Sequence, residues 1–369
     1  MGQTKSGVIR SGRYFKKLRR GAVIASEQQD VASTTFYWYF FMHLLFLFLD
    51  GVGLGANNPD TNPLARAKMP TLHILLGKQT MTASTAPYHG KKATLLALDT
   101  TLGVDGMPQS ATGQATLLTG INIPAEIGYH YGPKPNADVR EFLLNTNNDS
   151  VIASEATQSP SEKANKGETI FFWLRANKKT AALLSAYPDG YFKGINSGKR
   201  LYSAIPLAVT QAGFPLFTAE DIYAERALAA DFTNEGWRKM LKDETAPLFT
   251  PEEAGAKMTK LAMQYDFSFF EYWASDYAGH KQDMDWAINQ LESFDGVIKG
   301  LLDTMPDNLL VLVTSDHGNM EDLGTRRHTD VDVPCLLLGT EEARKKFVGE
   351  NLENLADITP AIKRCLTRE

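Results

Sequence analysis

Four short apolar runs divide the chain: residues 44–49, 180–186, 267–273 and 308–314. None alternates between apolar and polar positions, and such runs predict strands buried on both faces. The first stops at Asp50-Gly51-Val52-Gly53, the third just before Asp276 and the fourth just before Asp316. Between the runs the period changes to that of a helix. Residues 110–120 place Ala115, Leu118 and Leu117 inward, with Ser110 at the helix start, and residues 170–177 read as a further helix. Thr250-Pro251-Glu252-Glu253 is a capping box with proline at the first helical position, followed by a stripe of Ala254, Met258, Leu261, Ala262 and Tyr265. Residues 286–305 continue as a helix with Ile288, Leu291, Val297, Ile298 and Leu301 on its inner side. Strands alternating with helices predict an α/β fold around a mostly parallel sheet.

Two stretches break this rhythm. Residues 144–168 are rich in Asn, Ser, Thr, Lys and Glu and read as a polar loop or insertion. Residues 189–249 are mixed in character and are expected to form a small cap or insertion. The expected organisation is a catalytic core in two parts, 44–188 and 250–369, separated by that cap. Ahead of it lies a basic extension, 1–43, in which Lys5, Arg10, Arg13, Lys16, Lys17, Arg19 and Arg20 all precede the first acid, Glu27. It reads as an unstructured arm. Its first residues also fit a myristoylation pattern, and its basic, acid-poor character fits a targeting segment or a membrane-contacting arm.

Composition narrows the class. The 369 residues are 43% hydrophobic, enough for one elaborated domain or two. A net charge of -5 gives nucleic acid no footing. Cys335 and Cys365, far apart in sequence, make neither a disulfide framework nor a thiolate metal site. Reduced cysteines fit a cytoplasmic setting.

The candidate chemistry gathers near the strand ends. Asp316-His317-Gly318-Asn319, Asp276-Tyr277-Ala278-Gly279-His280 and His328 hold three of the seven histidines. Carboxylate oxygen and neutral imidazole are the ligands that zinc, manganese and related divalent ions take. Asp50, Asp276 and Asp316 each follow a strand at its C-terminal end, the edge of an open α/β sheet where ligands bind. Taken singly, each has an ordinary reading. Asp50-Gly51-Val52-Gly53 is a tight turn, Ser110 a helix cap, Asp276 and His280 an exposed pair, and His328, beside Arg326 and Arg327, a surface histidine. A buried carboxylate at Asp316 is harder to explain without a partner.

In order, Asp50-Gly51-Val52-Gly53, Ser110-Ala111-Thr112-Gly113-Gln114, Asp276 to His280, Ser315 to Asn319 and His328 with Pro334 resemble the alkaline phosphatase superfamily. The nearest likeness is to the metalloenzymes that include cofactor-independent phosphoglycerate mutase and phosphopentomutase. The resemblance implies a three-layer α/β sandwich with a small inserted cap and two divalent ions, manganese or zinc. It assigns Asp276, His280 and His328 to one ion, and Asp50, Ser110, Asp316 and His317 to the other. Ser110 would be the nucleophile and would pass through a phosphoserine. Gln114 departs from the family's histidine. The implied activity is phosphoryl transfer on a small-molecule phosphate ester, with mutase (isomerase) and phosphatase (hydrolase) both open. The alternatives are a phosphodiesterase of the same superfamily and a non-catalytic metal-binding protein tethered by its basic arm. The arginine-rich second domain of the phosphoglycerate mutases is not recognisable, and the Cys/Ser-x-Pro-x-Arg context of sulfatases is absent. Phosphate contacts are sought at His130, Lys134, Lys199 and Arg200, with Lys193 nearby.

Overall fold

Strand β1 (His43–Leu49) shows why its run is continuous. Leu44, Phe46 and Phe48 enter one buried cluster, while Leu45, Leu47 and Leu49 enter a second on the opposite face. A strand with an interior on each side has no solvent face to mark with polar residues. The computed structural model describes residues 42–144 and 168–367. Within them β1 lies inside an eight-stranded sheet with β2 (Tyr88–His89), β3 (Ala93–Leu98), β4 (Ala181–Ala186), β5 (Leu216–Phe217), β6 (Phe267–Tyr272), β7 (Leu309–Thr314) and β8 (Val333–Leu338). The order is β2-β3-β8-β7-β1-β6-β4-β5. From β7 to β5 all neighbours are parallel. β8 runs antiparallel to both β7 and β3, and β2 antiparallel to β3. The α/β class with a mostly parallel sheet is therefore as expected.

Helices cover both faces. Ser110–Thr119, Ile170–Ala176, Ala204–Gln211 and Ile358–Leu366 pack into the first cluster; Pro251–Ala262 and Met284–Thr304 pack into the second. The predicted capping box is formed: Glu253 N–H donates to Thr250 Oγ1 at 3.2 Å and Thr250 N–H to Glu253 Oε2 at 2.8 Å. Gly255 and Gly300 lie where the last two helices touch, and a Cβ on either would collide with the facing backbone. Along Met284–Thr304 the buried side runs through Ala287, Leu291, Phe294, Val297, Ile298 and Leu301, leaving Ile288 half-buried at its edge.

The apolar pattern did not single out β3 and β8. β8 contains Pro334, which ordinarily argues against an inner strand. Here the β7–β8 pairing runs only to Val313 opposite Leu336, so Pro334 lies beyond that ladder, while on its other side it still sits opposite Ala97 of β3. Residues 189–249, expected as a cap, contribute β5 to the sheet edge and the buried helix Ala204–Gln211. Ile222, Ala227, Ala229, Trp237 and Ala246 form a small separate cluster at that edge. Of the expected extension 1–43, residues 1–41 lie outside the described residues, and His43 already belongs to β1. Most of the expected polar insertion, 145–167, also lies outside them. Among the described residues no helix is long and apolar enough to cross a membrane.

Candidate metal centre

Because β7, β1 and β6 are parallel neighbours, the residues after their C-terminal ends meet. Asp50 follows β1 directly, and Asp316 lies two residues past β7. Asp276 lies slightly further on, in the first turn of the helix Ala274–Lys281. That helix puts His280 four residues later on the same face as Asp276. Gly51 makes the approach feasible: its φ is +66°, and a Cβ there would sit 2.6 Å from Asp276 Oδ1.

The side chains form two adjacent groups, Asp50, Asp316 and His317, and Asp276, His280 and His328, with potential ligand atoms within 4.8 Å of one another in each. His317 Nε2 lies 3.6 Å from Asp50 Oδ1, 3.6 Å from Asp316 Oδ2 and 3.0 Å from Ser110 Oγ. His280 Nε2 lies 3.2 Å from Asp276 Oδ2, and His328 Nε2 lies 3.7 Å from Asp276 Oδ1. The groups touch through the His317 and His328 rings, stacked at 3.7 Å. All seven residues assigned by the resemblance thus come together, in the two expected subsets.

The three histidines of the two groups are turned the same way. Nδ1 of His280 faces the Arg326 carbonyl at 2.7 Å, that of His328 the Pro108 carbonyl at 2.9 Å, and that of His317 the Gly318 carbonyl at 3.3 Å. A carbonyl can only accept, so each Nδ1 carries the proton. Nε2 of His317 and His328 then offers a lone pair to the centre, whereas His280, its pKa raised by the Asp276 hydrogen bond, also donates from Nε2 to that carboxylate when no ion is bound. This is how metal-binding histidines are held.

The electrostatics point the same way. Burial pushes the Asp50 carboxyl well above the usual range, and the nearby Asp316, Asp276 and Glu271 carboxylates add to it. Burial raises Asp316 to about 7 against the Gln114 hydrogen bond. Burial also lowers His317 to about 4, which keeps its imidazole neutral. At Asp276 burial works upward, but the His280 hydrogen bond, His317 and Asn319 outweigh it and hold the carboxyl at about 2. The clearest mark is Asp50 Oδ1, a buried oxygen with no hydrogen-bond partner. A buried acceptor without a donor is costly. A divalent cation would satisfy it, and a set of carboxylates, neutral imidazoles and a hydroxyl fits zinc or manganese.

Several side chains take on a role here that their motifs did not reveal. Gln114 Nε2 donates to Asp316 Oδ2 at 3.0 Å, so the position that departs from the family orients a carboxylate. Asn319 Nδ2 donates to Asp276 Oδ1 at 2.6 Å. Ser315 Oγ accepts from Val52 N–H at 2.9 Å, and buried Glu321 accepts from Gly53 N–H at 2.8 Å. Asn319 and Ser315 belong to the quoted Ser315–Asn319 motif, and proximity to it was the one sequence signal for Glu321.

The candidate substrate contacts belong to neither of the two groups. His130 Nε2 is 3.2 Å from both the Thr101 and Val104 carbonyls, which ties it to a loop. Lys134 is exposed, near Gly132, which packs against Gln109 and the Ser110 backbone nitrogen. The Thr112 N–H is engaged by the Tyr131 carbonyl at 3.0 Å, leaving the helix Ser110–Thr119 at most its Ser110 and Ala111 amides for an anion. Lys193 and Lys199 are exposed. The Arg200 guanidinium lies 4.8 Å over the Tyr191 ring, which is 4.4 Å from Tyr187, whose hydroxyl donates to Glu271 at 2.7 Å.

Residues 233–367 match the Metalloenzyme superfamily. Over that stretch the likeness to the metalloenzymes is thereby shown. The matched region holds Asp276, His280, Asp316, His317 and His328. A phosphopentomutase of Helicobacter pylori (strain HPAG1) is 33% identical over 96 residues, 26% of this chain and 22% of that protein. A 2,3-bisphosphoglycerate-independent phosphoglycerate mutase of Wolinella succinogenes is 33% identical over 104 residues, 26% of this chain and 21% of that protein. The aligned part thus spans about a fifth of the length of these relatives. The alkaline phosphatase of the Antarctic bacterium TAB5 superposes with a TM-score of 0.47 at 15% identity, over 88% of this chain and 97% of that one.

Proposed function

We propose that the protein is a two-metal-dependent phosphoryl-transfer enzyme acting on a small phosphate ester through a phosphoserine at Ser110. The observation that carries this reading is the position of Ser110: its Oγ lies 3.0 Å from His317 Nε2, inside one carboxylate–imidazole group and beside a second. Asp276, His280 and His328 would hold one divalent ion, and Asp50, Ser110, Asp316 and His317 the other. Bound there, the ions would supply Lewis-acid charge and lower the pKa of the serine hydroxyl.

The chain's own residues supply the rest. A serine hydroxyl is a weak nucleophile at neutral pH and needs activation. His317, with Nδ1 protonated, keeps Nε2 3.0 Å from Ser110 Oγ, so both atoms would face the same ion. Gln114 and Asn319 hold the Asp316 and Asp276 carboxylates in position. Ser110 Oγ gives its proton to solvent and attacks phosphorus, the bond from phosphorus to the ester oxygen breaks and that oxygen takes a proton from solvent, and the phosphoryl group then passes to water or to another substrate hydroxyl, which restores Ser110. Transfer to a hydroxyl is the mutase outcome, supported by the mutase names of the relatives. Of the candidate substrate contacts, Lys134, Lys199 and Arg200 remain cations available to a phosphate, and residues 189–249 would border the substrate. His130, held by two carbonyls, serves its loop instead.

The test is metal content and turnover on a generic aryl phosphate. The purified protein should hold about two divalent ions per chain. Ser110→Ala should lower turnover by about three orders of magnitude or more, as loss of a nucleophile does, while the fold survives. A protein that binds no divalent ion, or a Ser110→Ala variant as active as wild type, would refute this reading. Metal binding without turnover on any phosphate ester would favour a non-catalytic metal-binding protein.

A further inference from the structure

Glu321 is 2% exposed, although it belongs to neither ligand group. Its carboxylate gathers donors from three separate segments. Oε2 accepts from Gly53 N–H at 2.8 Å and from Asn319 N–H at 2.8 Å. Oε1 accepts from the Thr329 hydroxyl. Each donor is close to a candidate ligand. Gly53 is three residues after Asp50, Asn319 is two after His317, and Thr329 adjoins His328. Asn319 also donates from Nδ2 to Asp276 Oδ1 at 2.6 Å, so the carboxylate reaches a fourth ligand at one remove.

The backbone around it is shaped to admit it. A Cβ on Gly53 would lie 2.6 Å from Glu321 Cδ, and a Cβ on Gly318 would lie 2.6 Å from Glu321 Oε1. Any side chain at either position would displace the carboxylate. Gly318 and Thr329 are joined by a backbone bond, Thr329 N–H to the Gly318 carbonyl at 2.9 Å, so the segments bearing His317 and His328 are paired where Glu321 clasps them. Glu321 has no surface role at this depth, and its three bonds all lead to ligand-bearing backbone.

We propose that Glu321 is the positioning residue that fixes the two ligand groups relative to each other. The inference rests on the reading that both groups hold divalent ions. Outer partners that orient metal ligands typically contribute 10- to 100-fold in affinity. Glu321→Gln should keep the fold. Its amide oxygen can accept both backbone N–H groups, and the Thr329 hydroxyl can turn to accept from the new NH2. The charge and one acceptor are lost. Thr329→Val removes only the bond to the His328 segment.

The experiment titrates the metal-free protein with Co2+ and follows both binding affinity and the visible spectrum. His280→Ala identifies which binding step belongs to the group containing His328. Glu321→Gln should weaken both steps by about 10- to 100-fold and alter the spectrum at saturation. Thr329→Val should weaken the His328 step alone. Two steps with wild-type affinity and spectrum in Glu321→Gln would overturn the inference. So would a lower denaturation midpoint of the metal-free variant with unchanged binding, which is the mark of a merely structural role. If Glu321→Gln does not fold, selective weakening in Thr329→Val supports the inference and its absence overturns it. A wild-type protein that binds no Co2+ fails at the first step, which removes the two-metal reading itself and this inference with it.

Discussion

Asp50→Asn should have opposite consequences with and without metal. The candidate ligand atoms of Asp50, Asp316 and His317 lie within 4.8 Å of one another. Two unit charges at that separation repel by about 3.5 kcal/mol at an effective dielectric of about 20. Without a cation Asp50 escapes this by keeping its proton: burial, then Asp316, Asp276 and Glu271, hold its carboxyl well above the usual range. Asparagine is close in shape to the protonated acid. The metal-free variant should therefore match wild type within about 1 kcal/mol at pH 7. In the presence of metal the comparison reverses. An ion at 1,000 times its Kd stabilises the fold by about 4 kcal/mol, and a site weakened 1,000-fold by about 0.4 kcal/mol. At roughly 2 °C per kcal/mol for a chain of this size, the metal-induced rise in Tm should be about 7 °C smaller in the variant. Differential scanning calorimetry in EDTA and in excess MnCl2 or ZnCl2 measures both quantities. A metal-free variant several kcal/mol less stable than wild type, or an unchanged metal-induced rise, would refute the reasoning.

Two further outcomes separate the site's parts. His280→Ala should reduce bound metal from about two ions per chain to about one by elemental analysis, because His280 belongs to one group only; loss of both ions or of neither counts against the division. Glu271 is buried on β6, and burial raises its carboxyl to about 7, against the Tyr187 hydrogen bond and with a further push from Asp316. Its folded pKa lies above the ordinary 4.5, so the folded state keeps a proton that the unfolded chain releases. The stability penalty grows as pH rises from 4.5 and is complete above about 7. Glu271→Gln should therefore gain about 3 kcal/mol over wild type between pH 4.5 and 8, read by urea denaturation in EDTA. A gain independent of pH would show that the carboxyl is not desolvated as described.

Much of the architecture was legible because burial on both faces removes alternation from a strand. The runs at 44–49, 267–273 and 308–314 therefore read as core strands, with Asp50, Asp276 and Asp316 beyond their ends. The Thr250 capping box was legible because its bonds are local. What lay beyond sequence was adjacency. Periodicity tells which face of an element is buried, not which strands become neighbours. The order β7-β1-β6, which brings the three aspartates together, exists only in the folded sheet. The Ser110–His317 contact spans 207 residues, and motif order implied it only through a resemblance. Pro334 concealed β8, because the point at which one of the strand's two ladders ends is a property of pairing rather than composition. The orienting roles of Gln114, Asn319 and Glu321 were not legible, since a side chain becomes an orienting partner only when folding buries it against a particular acceptor or donor. The sequence by itself determined the strands and the residue types the chemistry needs. Tertiary structure decided which atoms meet and which histidine nitrogen faces the centre, because those depend on chain crossings hundreds of residues apart.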